Sequence, residues 1–339
     1  SGGFIKADNL AGLAALAGPV GVGSRPQPIR RASNDTDRAG GRLAFLWRPS
    51  EDLTLQASAT VQDLNSSNSQ YVMGHRSLFD EPLAVAEPHD NSFRNLSVGL
   101  TRRAPSATFR LSLNRSQHKV RTGYDARPIG PYVSIPNSGV LFYEEDQTFG
   151  LSNLEASVMS PRDGRWQWLA GLFLARSEET FTPHLSDIYT EKTLYDERRA
   201  DSVRDAALFG KLTWHPAPAW TLSAGLRVQT SRHDTDSLIR DVHLVNYRPE
   251  GHIIGRIAAT PISHEVMLSY QAGPRLFLYA LAANGFRTGG FNTTTLTSTS
   301  VPRVYEGDRL DSFETGFKYR SAGNRLSLEG WRALFEAPG

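Results

Sequence analysis

Hydrophobic and polar residues alternate with a period of two along many stretches of about ten residues. In residues 53–61 apolar side chains occupy the odd positions, and Thr, Gln or Ser occupies each even one. Residues 220–228 alternate in the same way, with the apolar side chains at the even positions. Successive side chains of a β-strand point to opposite faces, so this pattern predicts strands with one apolar and one polar face.

Short turns rich in Pro, Gly, Ser and Asp separate pairs of such strands. They lie at residues 49–52, 104–106, 161–164, 216–218, 272–274 and 321–324. The turns recur roughly every 50 to 57 residues, and each is flanked on both sides by alternating residues. The pattern therefore predicts a series of β-hairpins joined in sequence.

The connections between the hairpins are longer and more polar. We expect loops at roughly 64–90, 120–145, 183–201, 236–260 and 289–306. So many long loops would be unusual in a compact soluble domain. Short turns at one end of a sheet and long loops at the other are typical of outer-membrane β-barrels.

Aromatic and charged residues occupy the heights that a membrane barrel requires. Five of the six tryptophans lie within a few residues of a short turn, where an interfacial aromatic belt is expected; they are Trp47, Trp166, Trp168, Trp214 and Trp220. Four successive apolar positions span about 27 Å of strand. At a tilt of about 40° they give a band near 20 Å, close to the ~25 Å of known barrels. In the strand that starts at Trp166, every second residue is apolar until the first charged one of that set, Arg176.

These observations predict an all-β fold, an antiparallel transmembrane β-barrel with about 12 or 13 strands in this chain. Composition agrees with this fold and excludes several other classes. With 37 Lys and Arg against 35 Asp and Glu, the net charge of +2 offers no basic surface for nucleic acid. The chain has no cysteine, so disulfides, Cys-based metal sites and cysteine nucleophiles are excluded.

Catalytic motifs are absent from the sequence. It contains no nucleophile elbow, no P-loop and no dinucleotide-binding glycine pattern. His264-Glu265 begins like a zinc-protease motif, but Leu268 stands where the second histidine is needed. We therefore predict no enzymatic activity, no metal site and no cofactor.

The C-terminal third carries a family resemblance. Gly285-Phe286-Arg287-Thr288-Gly289-Gly290-Phe291-Asn292 is followed by Glu314-Thr315-Gly316-Phe317-Lys318 and then by Arg325-Leu326-Ser327-Leu328. This succession of strand end, strand and hairpin resembles the barrel of TonB-dependent receptors. The resemblance is strong over residues 275–330 and weaker, but consistent, upstream.

The resemblance implies a 22-stranded barrel around an N-terminal plug, in the outer membrane of a Gram-negative bacterium. Such a receptor imports a scarce ligand such as a ferric siderophore, cobalamin or a glycan, and the TonB complex supplies energy by acting on the plug. We expect residues 1–339 to be an incomplete barrel domain without the plug. Its expected partners are outer-membrane lipid and the imported ligand, with TonB acting only through the missing plug.

Candidate ligand contacts lie in the predicted loops or the lumen, where a receptor presents basic and aromatic groups. They are His75, Arg76, Arg121, Tyr124, His184, Tyr189, Arg287 and Asn292. Two alternatives stay open: a passive porin-like channel, and a soluble carbohydrate-binding β-propeller or sandwich. Alternation does not separate them by itself, because a soluble sandwich also buries every second side chain.

Overall fold

The described part of the chain consists almost entirely of β-strands. The computed structural model describes residues 6–7, 35–69, 80–81, 85–127, 140–240, 251–292 and 301–336. The strands in these ranges are β1 (Lys6–Ala7), β2 (Thr36–Trp47), β3 (Leu53–Ser66), β4 (Asp80–Glu81), β5 (His89–Arg103), β6 (Thr108–Asp125), β7 (Leu141–Met159), β8 (Trp166–Asp187), β9 (Lys192–Ala217), β10 (Trp220–Arg240), β11 (Gly251–Ala259), β12 (Ile262–Gln271), β13 (Leu276–Arg287), β14 (Gly290–Phe291), β15 (Val304–Tyr305), β16 (Asp308–Arg320) and β17 (Ser327–Glu336). A short 3-10 helix, Ala322–Asn324, lies in the last turn.

Thirteen of these strands form one antiparallel sheet. Its order is β17-β16-β13-β12-β10-β9-β8-β7-β6-β5-β3-β2, with β11 also beside β10. Neighbours in the sheet are therefore neighbours in the chain, as in an up-and-down barrel. Two small ribbons accompany the sheet, a parallel pair of β1 with β4 and an antiparallel pair of β14 with β15.

β11 and β12 follow each other along the same edge of β10. Ala259 faces Ser231 and Ile262 faces Val228, so the register continues without a shift. Pro261 interrupts the strand because it has no N–H to donate. Its carbonyl still accepts a hydrogen bond from the Gln229 N–H, 3.1 Å long. If β11 and β12 are counted as one strand, the described sheet has twelve strands, which confirms the predicted 12 or 13.

Every predicted short turn is found between paired strands. The turns connect β2 to β3, β5 to β6, β7 to β8, β9 to β10, β12 to β13 and β16 to β17. Two of them use a glycine in the left-handed region, Gly273 at φ 77° and Gly323 at φ 73°. Other residues are strained there, so these glycines allow the chain to reverse tightly.

The prediction of long loops at 183–201 and 236–260 is wrong. β8 continues to Asp187 and β9 begins at Lys192, which leaves a connection of residues 188–191. β11 occupies residues 251–259 of the second predicted loop. The error arose because these segments carry polar side chains on both faces. A strand whose two faces both meet water shows no apolar alternation.

The two faces of the sheet differ as the alternation predicted. Along β8 the side chains from Trp166 to Thr180 are alternately exposed and half-buried. The exposed set is apolar up to Leu174, and large apolar side chains elsewhere are just as open, for example Leu208 at 69% and Leu43 at 75% exposed. In the described residues no second sheet or helix layer covers this face. We call it the outward face, and the opposite, half-buried face the inward face.

Aromatic side chains lie along the border of the outward face that is nearest the short turns. Trp166 on β8 stacks on Trp214 of β9 with ring centroids 5.3 Å apart. Trp220 contacts Tyr270 on the next strand at 4.5 Å. These pairs lie beside the short turns, so the predicted interfacial belt is present on adjacent strands. No helix in the described part of the chain is long and apolar enough to cross a bilayer.

Candidate functional site

The inward face is most enclosed at the strand ends remote from the short turns. There the ends of β2, β3, β5 and β6 meet the segment 85–88 that leads into β5. A pocket of about 500 Å³ opens between them; it is lined by Thr36, Leu64, Ser66, Asn68, Ser69, Glu87, Pro88, His89, Thr122, Gly123 and Tyr124. Its size and mixed lining are those of a small-molecule site.

Glu87 organises the floor of this pocket. Its carboxylate accepts a hydrogen bond from the Ser69 hydroxyl and another, 2.9 Å long, from the backbone N–H of Asp125. The Glu87 N–H donates to Asn68 Oδ1 at 2.7 Å. Asp125 is held in turn by Arg127, whose Nη2 lies 2.6 Å from Oδ2. All three of Asn68, Glu87 and Asp125 are almost fully buried, so the network joins the entry to β5 and the end of β6.

Burial raises the pKa of the Glu87 carboxyl above its ordinary value of 4.5, and the neighbouring Asp125 charge adds to the rise; the bonds from Ser69 and the Asp125 N–H act in the opposite direction. Between 4.5 and the raised value, the folded site holds a proton that the unfolded chain releases. The free energy of opening this site is therefore expected to fall as pH rises through that window, and to level off below it.

Hydrogen exchange at the Asp125 amide, corrected for the intrinsic rate, measures this effect. Protection should be greater at mildly acidic pH than at neutral pH. In a Glu87→Gln variant, which keeps the size but cannot ionise, the pH dependence should disappear. The same slope in both proteins would contradict the assignment to Glu87.

An apolar cluster closes the inward side next to the pocket. It comprises Ala126, Leu141, Leu185, Leu194, Tyr195 and Ile239, all buried. The ring of Tyr143 packs against this cluster and stacks on Tyr124 of the pocket, with centroids 6.3 Å apart. Tyr124 therefore has one face supported by the cluster, while its position in the lining brings it to the pocket.

Charged residues continue along the inward face of β8, β9 and β10. Arg199 Nε lies 2.9 Å from Asp201 and its Nη2 lies 3.7 Å from Glu179. The same guanidinium stands 4.8 Å over the ring of Phe181. His233 lies 3.7 Å from Asp201. This mixed acidic and basic wall can bind polar groups of either sign and carries no single dominant charge.

Three of the predicted contact residues lie on the inward side or beside it. Tyr124 lines the pocket. Arg287 forms a bidentate ion pair with Asp308, which lies opposite it on β16; Nε is 3.0 Å from Oδ1. Asn292 donates from Nδ2 to the Pro302 carbonyl at 2.8 Å. Only Tyr124 is brought into the pocket, since Arg287 and Asn292 belong to the other end of the sheet order.

The other predicted contacts lie elsewhere. Arg121 shares the outward face with the apolar residues of β6 and pairs with Glu144 at 3.2 Å. His184 is also outward, 3.4 Å from Asp196. Tyr189 is exposed at the tip of the β8–β9 connection. His75 and Arg76 lie outside the described residues. Ligand contact by any of these remains a prediction, and the inward geometry favours Tyr124.

Sequence reasoning missed Glu87, Asn68 and Ser69. Each is a common polar residue in a predicted loop, and no local pattern shows that a loop carboxylate becomes buried. The Glu-Pro dipeptide at 87–88 was the available signal, because the residue before a proline is restricted to extended conformations. That restriction holds Glu87 in line with the start of β5.

Comparison with known proteins identifies the architecture. The sequence model of the family described as TonB dependent receptor-like, beta-barrel, matches residues 53–335. The chain belongs to this family. As a TonB-dependent receptor barrel it lies in the outer membrane of a Gram-negative bacterium, with the outward face against lipid and the short turns toward the periplasm.

Solved structures show the same fold at low sequence identity. The ferric yersiniabactin uptake receptor FyuA from Yersinia pestis is 13% identical, with a TM-score of 0.74 over 89% of this chain and 45% of its own. The siderophore receptor PiuA from Acinetobacter baumannii is 9% identical, with a TM-score of 0.67 over 88% of this chain and 49% of its own. The copper transporter OprC is 13% identical, with a TM-score of 0.62 over 91% of this chain and 46% of its own. This TonB-dependent receptor barrel thus spans about half the length of the structures it matches.

Proposed function

We propose that the chain supplies part of the barrel of a receptor that takes up a scarce ligand, in the class of siderophore-bound iron, cobalamin or a glycan. The observation that carries this proposal is the inward pocket between β2, β3, β5 and β6, built on the buried Glu87 network. It lies at the end of the sheet remote from the periplasmic turns, where a ligand arrives from outside. Barrels of similar fold belong to a ferric yersiniabactin receptor and a siderophore receptor, so iron carriers are the first class to test.

Energy would come from the TonB complex through a plug segment. We propose that residues 1–339 contribute only barrel strands and that the plug and further strands are contributed by other parts of the receptor. The described sheet ends at β2 and β17, and an edge strand offers unpaired N–H and C=O groups to a neighbour. The added strands would pair there and close the barrel.

Uptake of radiolabelled iron carriers by cells expressing the receptor tests the function. Active import should stop when TonB is deleted or the proton gradient is collapsed. Uptake that persists under both conditions, or steady conductance of the purified protein in planar bilayers, would instead identify a passive channel.

The pocket itself is tested by Tyr124→Ala. Removal of this half-buried aromatic side chain from the pocket wall is expected to weaken ligand binding at least tenfold, which corresponds to about 1.4 kcal/mol. Lys119→Ala serves as the matched control, because Lys119 lies on the same strand but is exposed on the outward face. Binding is measured by titrating the carrier into the receptor in detergent. An equal loss in both variants, or no loss in Tyr124→Ala, would rule out the pocket.

A further inference from the structure

A row of arginines crosses the outward face just above the apolar band. Arg176 on β8 stands directly opposite Arg204 on β9, and Arg204 stands opposite Arg232 on β10. On the other side of Arg176 the row continues through Ser152 on β7 to Arg115 on β6. Opposed side chains on neighbouring strands have Cβ atoms only about 4.5–5.5 Å apart. Four guanidinium groups thus lie in one row across five consecutive strands.

The row sits at the border of the lipid-facing surface. One step toward the periplasm the same face carries Leu154, Leu174 and Ala206, which are opposed in turn. Because the short turns mark the periplasmic side, the arginines lie at the level of the outer leaflet's headgroups. Like charges placed directly opposite each other destabilise a sheet, so this arrangement favours an external anion.

Internal carboxylates neutralise only part of the row. Arg176 pairs with Glu178, and Arg232 Nε lies 3.1 Å from Asp234, which also pairs with Arg256. Arg115 donates to the neutral hydroxyl of Ser152 at 2.7 Å. Within the described ranges Arg204, which is exposed, makes no hydrogen bond or ion pair.

A groove of about 480 Å³ runs down from the row into the apolar band. Its outward lining is basic or polar at the top, with Arg115, Ser152 and Arg176, and apolar below, with Leu96, Val98, Leu113, Leu154 and Leu174. The gap exists because β7 carries a small residue, Ser152, between the two arginines. A groove with cationic residues at one end and aliphatic residues along the rest, on a membrane surface, matches the chemistry of a phosphorylated lipid.

We propose that this groove binds one phosphorylated glycolipid of the outer leaflet. Arg115 and Arg176 hold its phosphate, since the planar guanidinium donates two parallel hydrogen bonds to phosphate oxygens. The leucines of the groove receive an acyl chain, and Arg204 and Arg232 extend the anion-binding row along the headgroup layer. The proposal depends on the membrane orientation of the sheet and not on the ligand that the receptor imports.

The test measures lipid retained by the intact receptor, purified in mild detergent and then mixed with lipid A carrying two phosphates. Native mass spectrometry should show about one tightly bound lipid A per receptor at this groove. The double variant Arg115→Ala/Arg176→Ala should weaken its binding at least tenfold. Arg102→Ala/Arg165→Ala is the matched control, since these exposed arginines lie beside the periplasmic turns, and it should bind like the unchanged protein.

A second variant keeps every charge. Ser152→Trp fills the groove with a side chain that the membrane interface accepts, so it should also displace the lipid. Dephosphorylated lipid A should bind at least tenfold more weakly, and inorganic phosphate at millimolar concentration should not compete. Unchanged binding in the double variant or in Ser152→Trp would overturn the proposal, as would equal binding of the dephosphorylated lipid or displacement by free phosphate.

Discussion

Leu172→Lys is expected to lower the free energy of unfolding by about 2–4 kcal/mol, the cost of a lysine near the bilayer midplane of a membrane barrel. Leu172 lies on the outward face of β8 between Ala170 and Leu174, and Leu208 stands opposite it on β9. No carboxylate shares that row of the described sheet, so the ammonium group would enter hydrocarbon. Guanidinium titration of the receptor folded into lipid vesicles measures the change.

Ala175→Lys is the matched control for this substitution. Ala175 is three residues further along β8 but faces inward, opposite Asp205. The lumen is aqueous and Asp205 offers an opposite charge, so stability should change by less than about 1 kcal/mol. A large loss in Ala175→Lys together with a small one in Leu172→Lys would reverse the assignment of the two faces.

Glu197→Ala is expected to cost about 1–3 kcal/mol, because it removes an acceptor from buried hydroxyl groups. Glu197 is 1% exposed, accepts from Ser237 Oγ at 2.6 Å, and also accepts from Tyr195. Tyr195 belongs to the apolar cluster beside the pocket. Loss of the carboxylate should therefore loosen the extracellular ends of β9 and β10 before the membrane part unfolds.

Protease cleavage within the β8–β9 connection reports this local loosening, and guanidinium titration reports the total. Asp236→Ala provides the comparison, since Asp236 is an exposed carboxylate on β10 whose partner is His252, 2.7 Å away. An exposed pair contributes little. If both variants are cleaved at the same rate, the buried Glu197 stabilises these strand ends no more than the exposed Asp236 does, and the prediction is wrong.

Much of the sheet follows from local pattern. The six turns and the outward phase of most strands were readable because the bilayer imposes one simple rule, that alternate side chains meet hydrocarbon over a fixed height. β17 breaks the rule, since Gly330 and Arg332 share the face of Leu328 while Trp331 lies on the other. Leu172 and Leu208 satisfy that rule independently, and pairing then brings them side by side. The family match over residues 53–335 supports the membrane barrel over the soluble sandwich, and the resemblance of residues 285–328 had already indicated that family.

Beyond the membrane that rule no longer applies, and prediction failed there. Residues 196–199 are all charged, yet they continue β9 because backbone pairing with β8 and β10 does not require apolar side chains. Two of the candidate contacts, His184 and Tyr189, lie in the wrongly predicted loop at 183–201. Arg121 and Tyr124 lie three residues apart in the chain and face opposite sides of β6, which becomes evident only once the strand is seen to continue to Asp125.

The sequence by itself determined that this chain forms antiparallel hairpins with one lipid-facing side, because the alternation repeats in most strands and needs no knowledge of partners. The tertiary structure decided which polar residues meet. Glu87 is buried against Asp125, and three arginines line up on β8, β9 and β10, because residues distant in sequence become neighbours only through strand register. Pairing across strands depends on that register, and no local pattern in the chain encodes it.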